Sequence, residues 1–325
     1  MNKQTMTVRF WGVRGSYPAP GPGTVQVGGN TPCVEVQVGE YTLILDAGTG
    51  IIPLGRELAR RAAQSQQPIR ALLVFSHMHH DHTQGFPFFA PAFIPSTRLH
   101  IYGPHTLQAD LEQVLAQNMI PPLFPVTLND MSASKTIRAV GEQDVIVLDG
   151  DAPRLVPANS AEASLPGVLT VRMLRSYAHP GGTLIYRITW RGCSVVYATD
   201  TEGYANTDRR LADFARGADL LIHDAQYTEA HYLGLNGGRS TQGWGHSTAA
   251  MACDLARAAD ARRLALFHHD PTYDDALIAQ IEREAQARFA GAFAAREGQS
   301  LEISRQVEVP RPGRAAVGVA LPSGM

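Results

Sequence analysis

Cysteine is scarce in this sequence. Three residues of 325, Cys33, Cys193 and Cys253, stand far apart and form no C-x-x-C pair. No disulfide framework can be read from them, and a reducing compartment is expected. An excess of charge of one sign is also missing: 28 Lys+Arg against 30 Asp+Glu leave a formal net charge of −2. That argues against holding long nucleic acid by bulk charge. No stretch approaches the roughly 18 consecutive apolar residues of a membrane helix, so no membrane partner is expected. The opening MNKQTMTVRFWG has a Lys but neither an apolar run nor a small-residue cleavage site. A signal peptide is therefore not expected, and the cytoplasm is the expected location. Internal repeats of about 20–50 residues are absent too. What is present is 44% hydrophobic and 18% charged residue content, enough for a large core and too apolar for a disordered chain.

The first part reads as strands. TMTVRFW, PCVEVQV and YTLILDAG alternate or run apolar between Gly/Pro/Asn clusters. Gly12 to Asn30 is rich in Gly and Pro and reads as a long loop. IIPLGRELARRAAQS reads as an amphipathic helix with Leu54, Leu58 and Ala62 on one face. ALLVF (71–75) is the short apolar run of a strand buried on both faces. RLHIYGP is another strand, and residues 105–117 have helical character. Periodicity is poor over 119–164, apart from a strand at VIVL (145–148), and PRLVPANSAEASLPG reads as a loop that could cover a site. VLTVRML, TLIYRITW and CSVVYA are strong strands. Then DLLIHD, the Gly-rich GLNGGRSTQGWG, the helix STAAMACDLARAA with Ser247 as N-cap, the strand RRLALFHH and a last helix follow. Mixed strands followed by strand–helix alternation predict an α/β sandwich. One catalytic domain is expected over 1–306, with 104–164 as an inserted or covering segment and 307–325 as a tail.

The chemical signal is S-H-M-H-H-D-H, Ser76 to His82, which gathers four of the twelve histidines directly after the strand ALLVF. The C-terminal end of a buried strand is where α/β proteins place their sites. A divalent metal gives the reason for clustered imidazoles and a carboxylate there, since both are its usual ligands. No G-x-S-x-G elbow surrounds Ser76, so a serine nucleophile is not expected. Gly28-Gly29-Asn30 and Gly237-Gly238 lack the strand-to-helix context of a phosphate loop and read as loop glycines.

His77-x-His79-x-Asp81-His82 after a buried strand resembles the metallo-β-lactamase fold superfamily. So do Asp46 ending YTLILDAG, His179 in YAHPGGTLIYRI, Asp200 in VVYATDT and His268 in LALFHHDP, in that order. The resemblance implies an αββα sandwich, two mixed β-sheets flanked by helices. It also implies two divalent metal ions, zinc with manganese as the alternative. His77, His79 and His179 would hold one; Asp81, His82 and His268 the other; Asp200 would bridge them. Asp46 would accept hydrogen bonds from ligand imidazoles. His80 would point away, and His268 rather than His269 would face the metals, because it closes an apolar strand.

GVRGSYPAPG…GGNTPCVEV, the HDAQY segment (223–227) and GWGHSTAAMA (243–252) resemble the branch containing ribonuclease Z and small cyclic-phosphate phosphodiesterases. There the His of the H-S-T-A motif faces the scissile phosphate, a place that falls to His246, with His223 to support it. The implied mechanism is in-line attack on phosphorus by a metal-bound hydroxide, with Asp81 in the catalytic set and an imidazolium protonating the leaving oxygen. A homodimer is implied by the same resemblance. Ribonuclease Z carries a long tRNA-binding arm between the third-motif His and the bridging Asp. Here His179 and Asp200 stand 21 positions apart, filled by two strands and an Arg191-Gly192 turn. A small phosphodiester is therefore expected: a cyclic nucleotide, a ribose cyclic phosphate or a short oligonucleotide. Arg14 reads equally as a phosphate contact or a surface residue. Tyr227, Tyr232 and Trp244 either stack on a base or pack under the loop. Rival readings are a metal-dependent acyl hydrolase, a non-catalytic nucleotide-binding protein and redox chemistry at two irons.

Overall fold

The structure, a computed structural model, describes residues 5–106, 110–203, 207–235 and 237–304. The expected tail, 307–325, lies outside the described residues. The chain opens with β1 (Met6–Gly12), β2 (Cys33–Val38) and β3 (Tyr41–Leu45), then α1 (Ile51–Ser65), β4 (Arg70–Val74) and the short α2 (His80–Thr83). Next come β5 (Arg98–Pro104), α3 (Leu111–Gln117), β6 (Ser134–Val140), β7 (Asp144–Leu148), β8 (Arg154–Pro157), β9 (Leu169–Ser176), β10 (Thr183–Trp190) and β11 (Cys193–Ala198). The last block is α4 (Arg209–Ala215), β12 (Leu220–Asp224), α5 (Glu229–Leu233), α6 (Ala249–Ala258), β13 (Leu264–Phe267), α7 (Asp275–Arg288), β14 (Ala292–Ala294) and β15 (Ser300–Ile303).

The strands form two mixed sheets, ordered β15-β1-β2-β3-β4-β5-β6 and β14-β13-β12-β11-β10-β9-β7-β8. Strands β3 to β6 run parallel in the first sheet, and β11 to β14 in the second. Side-chain alternation builds the layers. Leu43, Leu45, Leu72 and Val74 face the core between the sheets, with Ile146, Val171, Ile188 and Ile222 from the second sheet. Ile44, Leu73 and Phe75 point outward and meet Ile51, Leu54 and Leu58 of α1 and Leu111 of α3. Helices α6 and α7 cover the far face of the second sheet, so strands buried on both sides read as unbroken apolar runs. This is the αββα sandwich expected. Among the described residues, no helix is long and apolar enough to cross a membrane.

Three expectations are corrected. The loop expected at 153–167 holds an edge strand, β8, paired with β7, and a 3₁₀ turn at Ala161–Ser164 that buries Ala163 against Val145 and Val147. It does not line the cavity beside His77 and His79. Strand β6, in the stretch of poor periodicity, is another edge strand, and its half-exposed residues hide the alternation. The N-cap of α6 is Thr248, whose hydroxyl accepts from Met251 N–H, and not Ser247. The Ser247 hydroxyl instead donates to Thr201 O at 2.7 Å and accepts from Gly203 N–H at 2.8 Å.

Candidate metal centre

The parallel strands of both sheets deliver their C-terminal ends to one edge of the sandwich, the usual place for an α/β site. Asp46 follows β3, Ser76 and His77 lie just beyond β4, Asp200 follows β11, Asp224 ends β12 and His268 follows β13. Asp46, Asp200 and His268 all have left-handed backbone, with φ of 61°, 51° and 62°. Each non-glycine residue held there costs roughly 1–3 kcal/mol. The same sharp bend turns each side chain over the end of the sheet.

Among the described residues three candidate groups result, the third of them Asp200, Asp224, His246 and His268. The first joins His77, His79 and His179; the second joins Asp81, His82, Asp200 and His268, with candidate ligand atoms within 4.8 Å of one another. His79 Nδ1 and His179 Nε2 lie 3.0 Å apart. Around the second group, His82 Nε2 lies 3.2 Å and His268 Nε2 3.1 Å from Asp81 Oδ2. Asp200 stands between the groups. Its Oδ2 is 3.2 Å from His82 Nε2, and its Oδ1 is 3.7 Å from His77 Nε2 and 3.8 Å from His179 Nε2. His80 is exposed at the start of α2. His269 is buried, but its ring meets Ala295 O at 3.1 Å, outside the group.

The residues present fit a cation. The buried Nε2 atoms of His77 and His82 have no hydrogen-bond partner, a costly state that ligation of a metal would relieve. Burial holds the His77 imidazole well below its ordinary pKa, helped by His82, and takes that of His179 down to about 4. Both rings are therefore neutral, as ligands must be. Burial would raise Asp81 and Asp200, but the neighbouring His82 and His268 hold both well below the usual carboxylate range.

A supporting layer fixes the ligands. Asp46 accepts from Ser76 N–H (2.7 Å), Ser76 Oγ (2.8 Å) and Tyr197 OH (2.7 Å), and its Oδ2 meets His82 Nδ1 at 2.7 Å. Gln226 Oε1 faces His268 Nδ1 at 2.9 Å, Gly245 O faces His179 Nδ1 at 3.2 Å, and Ser16 N–H donates to Asp81 Oδ2 at 2.8 Å. These contacts set ring tautomers and orientations. Tyr197 and Gln226 carry no signal in the sequence beyond their nearness to motif residues. Gly15 has one: a side chain there would strike His268 Nδ1 at 2.4 Å.

His246 stacks on His268, with ring centroids 5.0 Å apart and planes at 13°. Its partner corrects the expectation of His223. Asp224 Oδ2 meets His246 Nδ1 at 2.7 Å, and Asp224 Oδ1 accepts from Ser247 N–H at 2.9 Å. Neighbours on a strand face opposite ways, so His223 turns under α6. There its Nδ1 meets Asp224 O at 2.7 Å, and it lines a small cavity with Thr201, Met251 and Leu255. Burial disfavours charge on His246, but Asp224 outweighs it and raises the pKa to about 9.

The turn before His246 is clamped. Buried Glu202 accepts from Tyr232 OH (2.7 Å), Gly243 N–H (2.8 Å) and Gly245 N–H (2.9 Å). Tyr232 and Tyr227 thus pack beneath the loop, whereas Trp244 is exposed. Arg14 is neither a phosphate contact nor a surface residue. Fully buried, it donates to Gly28 O, Asp270 O and Tyr273 O. Between His179 and Asp200 the chain is the β10–β11 hairpin alone, closed by Arg191 and Gly192 with φ of 49° and 81°.

Residues 41–269 match the family described as "Beta-lactamase superfamily domain". A protein of Natronomonas pharaonis named ribonuclease Z is 30% identical over 255 residues, 70% of this chain and 79% of its own. One of that name from Picrophilus torridus is 25% identical over 331 aligned positions, 94% and 98% of the two chains. The metallo-beta-lactamase fold protein YhfI of Bacillus subtilis shares the fold at 22% identity, with a TM-score of 0.62, covering 92% of this chain and all of that one.

Proposed function

The chain belongs to the beta-lactamase superfamily and is a metal-dependent hydrolase, and from that premise we propose a binuclear phosphodiesterase acting on a small phosphodiester. The observation that carries this reading is the Asp224–His246 pair, a hydrogen-bonded acid and imidazole set against the ligand cluster. Thioester cleavage, which expels a stable thiolate, has little need of it; expulsion of an alkoxide from phosphorus has.

His77, His79 and His179 would hold one ion, Asp81, His82 and His268 the other, and Asp200 both. Two divalent ions so held would neutralise phosphate charge and make hydroxide available near neutral pH. The chain's own residues do the rest. Asp224 occupies His246 Nδ1, so the ring gives its proton from Nε2 to the leaving oxygen. Ser247 N–H anchors Asp224 Oδ1, which keeps that pair in register with the cluster. Asp81, beside the cluster, would accept a proton from the attacking water. Relatives named ribonuclease Z support phosphodiester chemistry. The short β10–β11 hairpin and the near-zero net charge favour a small substrate over tRNA.

Hydrolysis of bis(p-nitrophenyl) phosphate by zinc- and manganese-loaded protein tests this. Metal-dependent turnover is the expected result. Because p-nitrophenolate leaves without a proton, the loss in His246→Ala, with metal retained, is read on 2′,3′-cyclic AMP, whose leaving group is an alkoxide, and should be at least about 100-fold. Turnover of a lactone or thioester by the wild type, unaffected by His246→Ala, and none of the phosphodiester, would overturn it.

A further inference from the structure

Two exposed aromatic rings stand within two residues of His179 and His246, and each is paired with a guanidinium. Tyr177, 78% exposed, lies two residues before His179, and Arg175 Cζ sits 5.6 Å from its ring centroid. Trp244, 47% exposed, directly precedes Gly245 and His246, and Arg239 Cζ sits 5.7 Å from its ring. Arg9–Trp11 and Arg191–Trp190 are similar pairs, but Trp11 is buried and Trp190 belongs to the β10–β11 hairpin. Surface arginines such as Arg60, Arg154, Arg210 and Arg296 sit on carboxylates. Among the described residues Arg175 and Arg239 have no carboxylate within ion-pair distance, and Arg175 donates only a long bond to His105 O at 3.4 Å, so neither charge is neutralised and both can take an anion.

Tyr177 and Arg175 also line a cavity of about 670 Å³ that starts at His77 and His79, a volume suited to a ligand of nucleotide size. Its one acidic lining residue, Glu142, is engaged by Arg210 at 2.8 Å and by Arg175 N–H at 2.6 Å. Exposed rings beside free guanidinium groups are the parts from which proteins build base-stacking platforms along a phosphate backbone. One platform lies in the cleft beside the first ligand group, the other on the turn that leads into His246.

Resting on the phosphodiesterase reading, we infer that Arg175–Tyr177 and Arg239–Trp244 form two nucleoside subsites, one for each side of the scissile phosphate. The substrate they select is a short linear diester of dinucleotide length. A cyclic mononucleotide, with one base, fills only one subsite.

The test compares kcat/KM for 5′-phosphorylated diadenylate, 3′,5′-cyclic AMP and methyl p-nitrophenyl phosphate, whose single ring cannot occupy both subsites. Diadenylate is expected to be preferred to cyclic AMP by at least tenfold. Its advantage over methyl p-nitrophenyl phosphate should drop about 10- to 100-fold in Tyr177→Ala and in Trp244→Ala, chiefly through KM, and return in Trp244→Phe. In metal-free protein, diadenylate should quench tryptophan fluorescence in the wild type and not in Trp244→Phe. Equal or better use of cyclic AMP, or an unchanged diadenylate advantage in both alanine variants, overturns the subsites while leaving the phosphodiesterase reading intact. Failure of the wild type on all three diesters overturns that reading itself.

Discussion

Glu202 offers the sharpest test of how the turn before His246 is held. Its buried carboxylate accepts three hydrogen bonds, from Tyr232 OH, Gly243 N–H and Gly245 N–H, and Gly245 O in turn faces His179 Nδ1. Glutamine has the same shape but only one acceptor oxygen. If that oxygen keeps Tyr232 and Gly243, the new NH₂ group faces Gly245 N–H, donor against donor. If it turns round, Gly243 N–H is left without a partner. An unsatisfied buried N–H costs about 1–3 kcal/mol, and the bonds that survive lose their charge assistance. Glu202→Gln should therefore destabilise the metal-free protein by roughly 2–4 kcal/mol in urea unfolding. Because the turn carries His246, kcat on 2′,3′-cyclic AMP, whose alkoxide leaving group needs a proton, should fall about 10- to 100-fold with KM little changed. Tyr232→Phe removes one donor and leaves two bonds in place, so its effect should be near 1 kcal/mol. A Glu202→Gln protein within 0.5 kcal/mol of wild type and within twofold in kcat would refute the clamp.

Other substitutions probe separate parts of the centre. Asp46→Asn should weaken zinc binding about 10- to 100-fold in a competition titration, since the amide cannot accept from Ser76, Tyr197 and His82 together. Asp224→Asn should lower kcat at least about 100-fold by loosening His246, while His223→Gln, on the other face of β12, should stay within roughly threefold. Burial raises the Cys253 thiol to about 11 and that of Cys33 well above its ordinary value. At pH 8 the native protein should leave Ellman's reagent unreacted, and denaturation should release three equivalents.

Strand-end placement made much of this centre legible in the sequence. A run such as ALLVF, short and wholly apolar, reads as a strand buried on both faces, so the histidines that follow are expected at its end. Choosing His268 over His269 followed from the same logic, and the structure turns His269 to Ala295 O. What stayed hidden depended on partners distant in sequence. Nothing local tells that Tyr197 reaches Asp46, or that Arg14 lies buried on the carbonyls of Gly28, Asp270 and Tyr273. His223 was misplaced because a histidine draws attention before the plain Asp224 beside it, and one step along a strand reverses the face. The edge strands β6 and β8 lack a buried face on which alternation could be read. Ser247 looked like a cap by residue type, yet its hydroxyl is committed to Thr201 and Gly203, and the cap passes to Thr248.

The most direct test of the binuclear reading is a zinc titration of metal-free protein, with bound metal and hydrolysis of bis(p-nitrophenyl) phosphate measured at each addition. The arrangement of Asp200 between two ligand groups predicts binding of two equivalents, no turnover without metal, and full turnover only as the second equivalent binds. Full activity at one equivalent, or turnover by the metal-free protein, would contradict it.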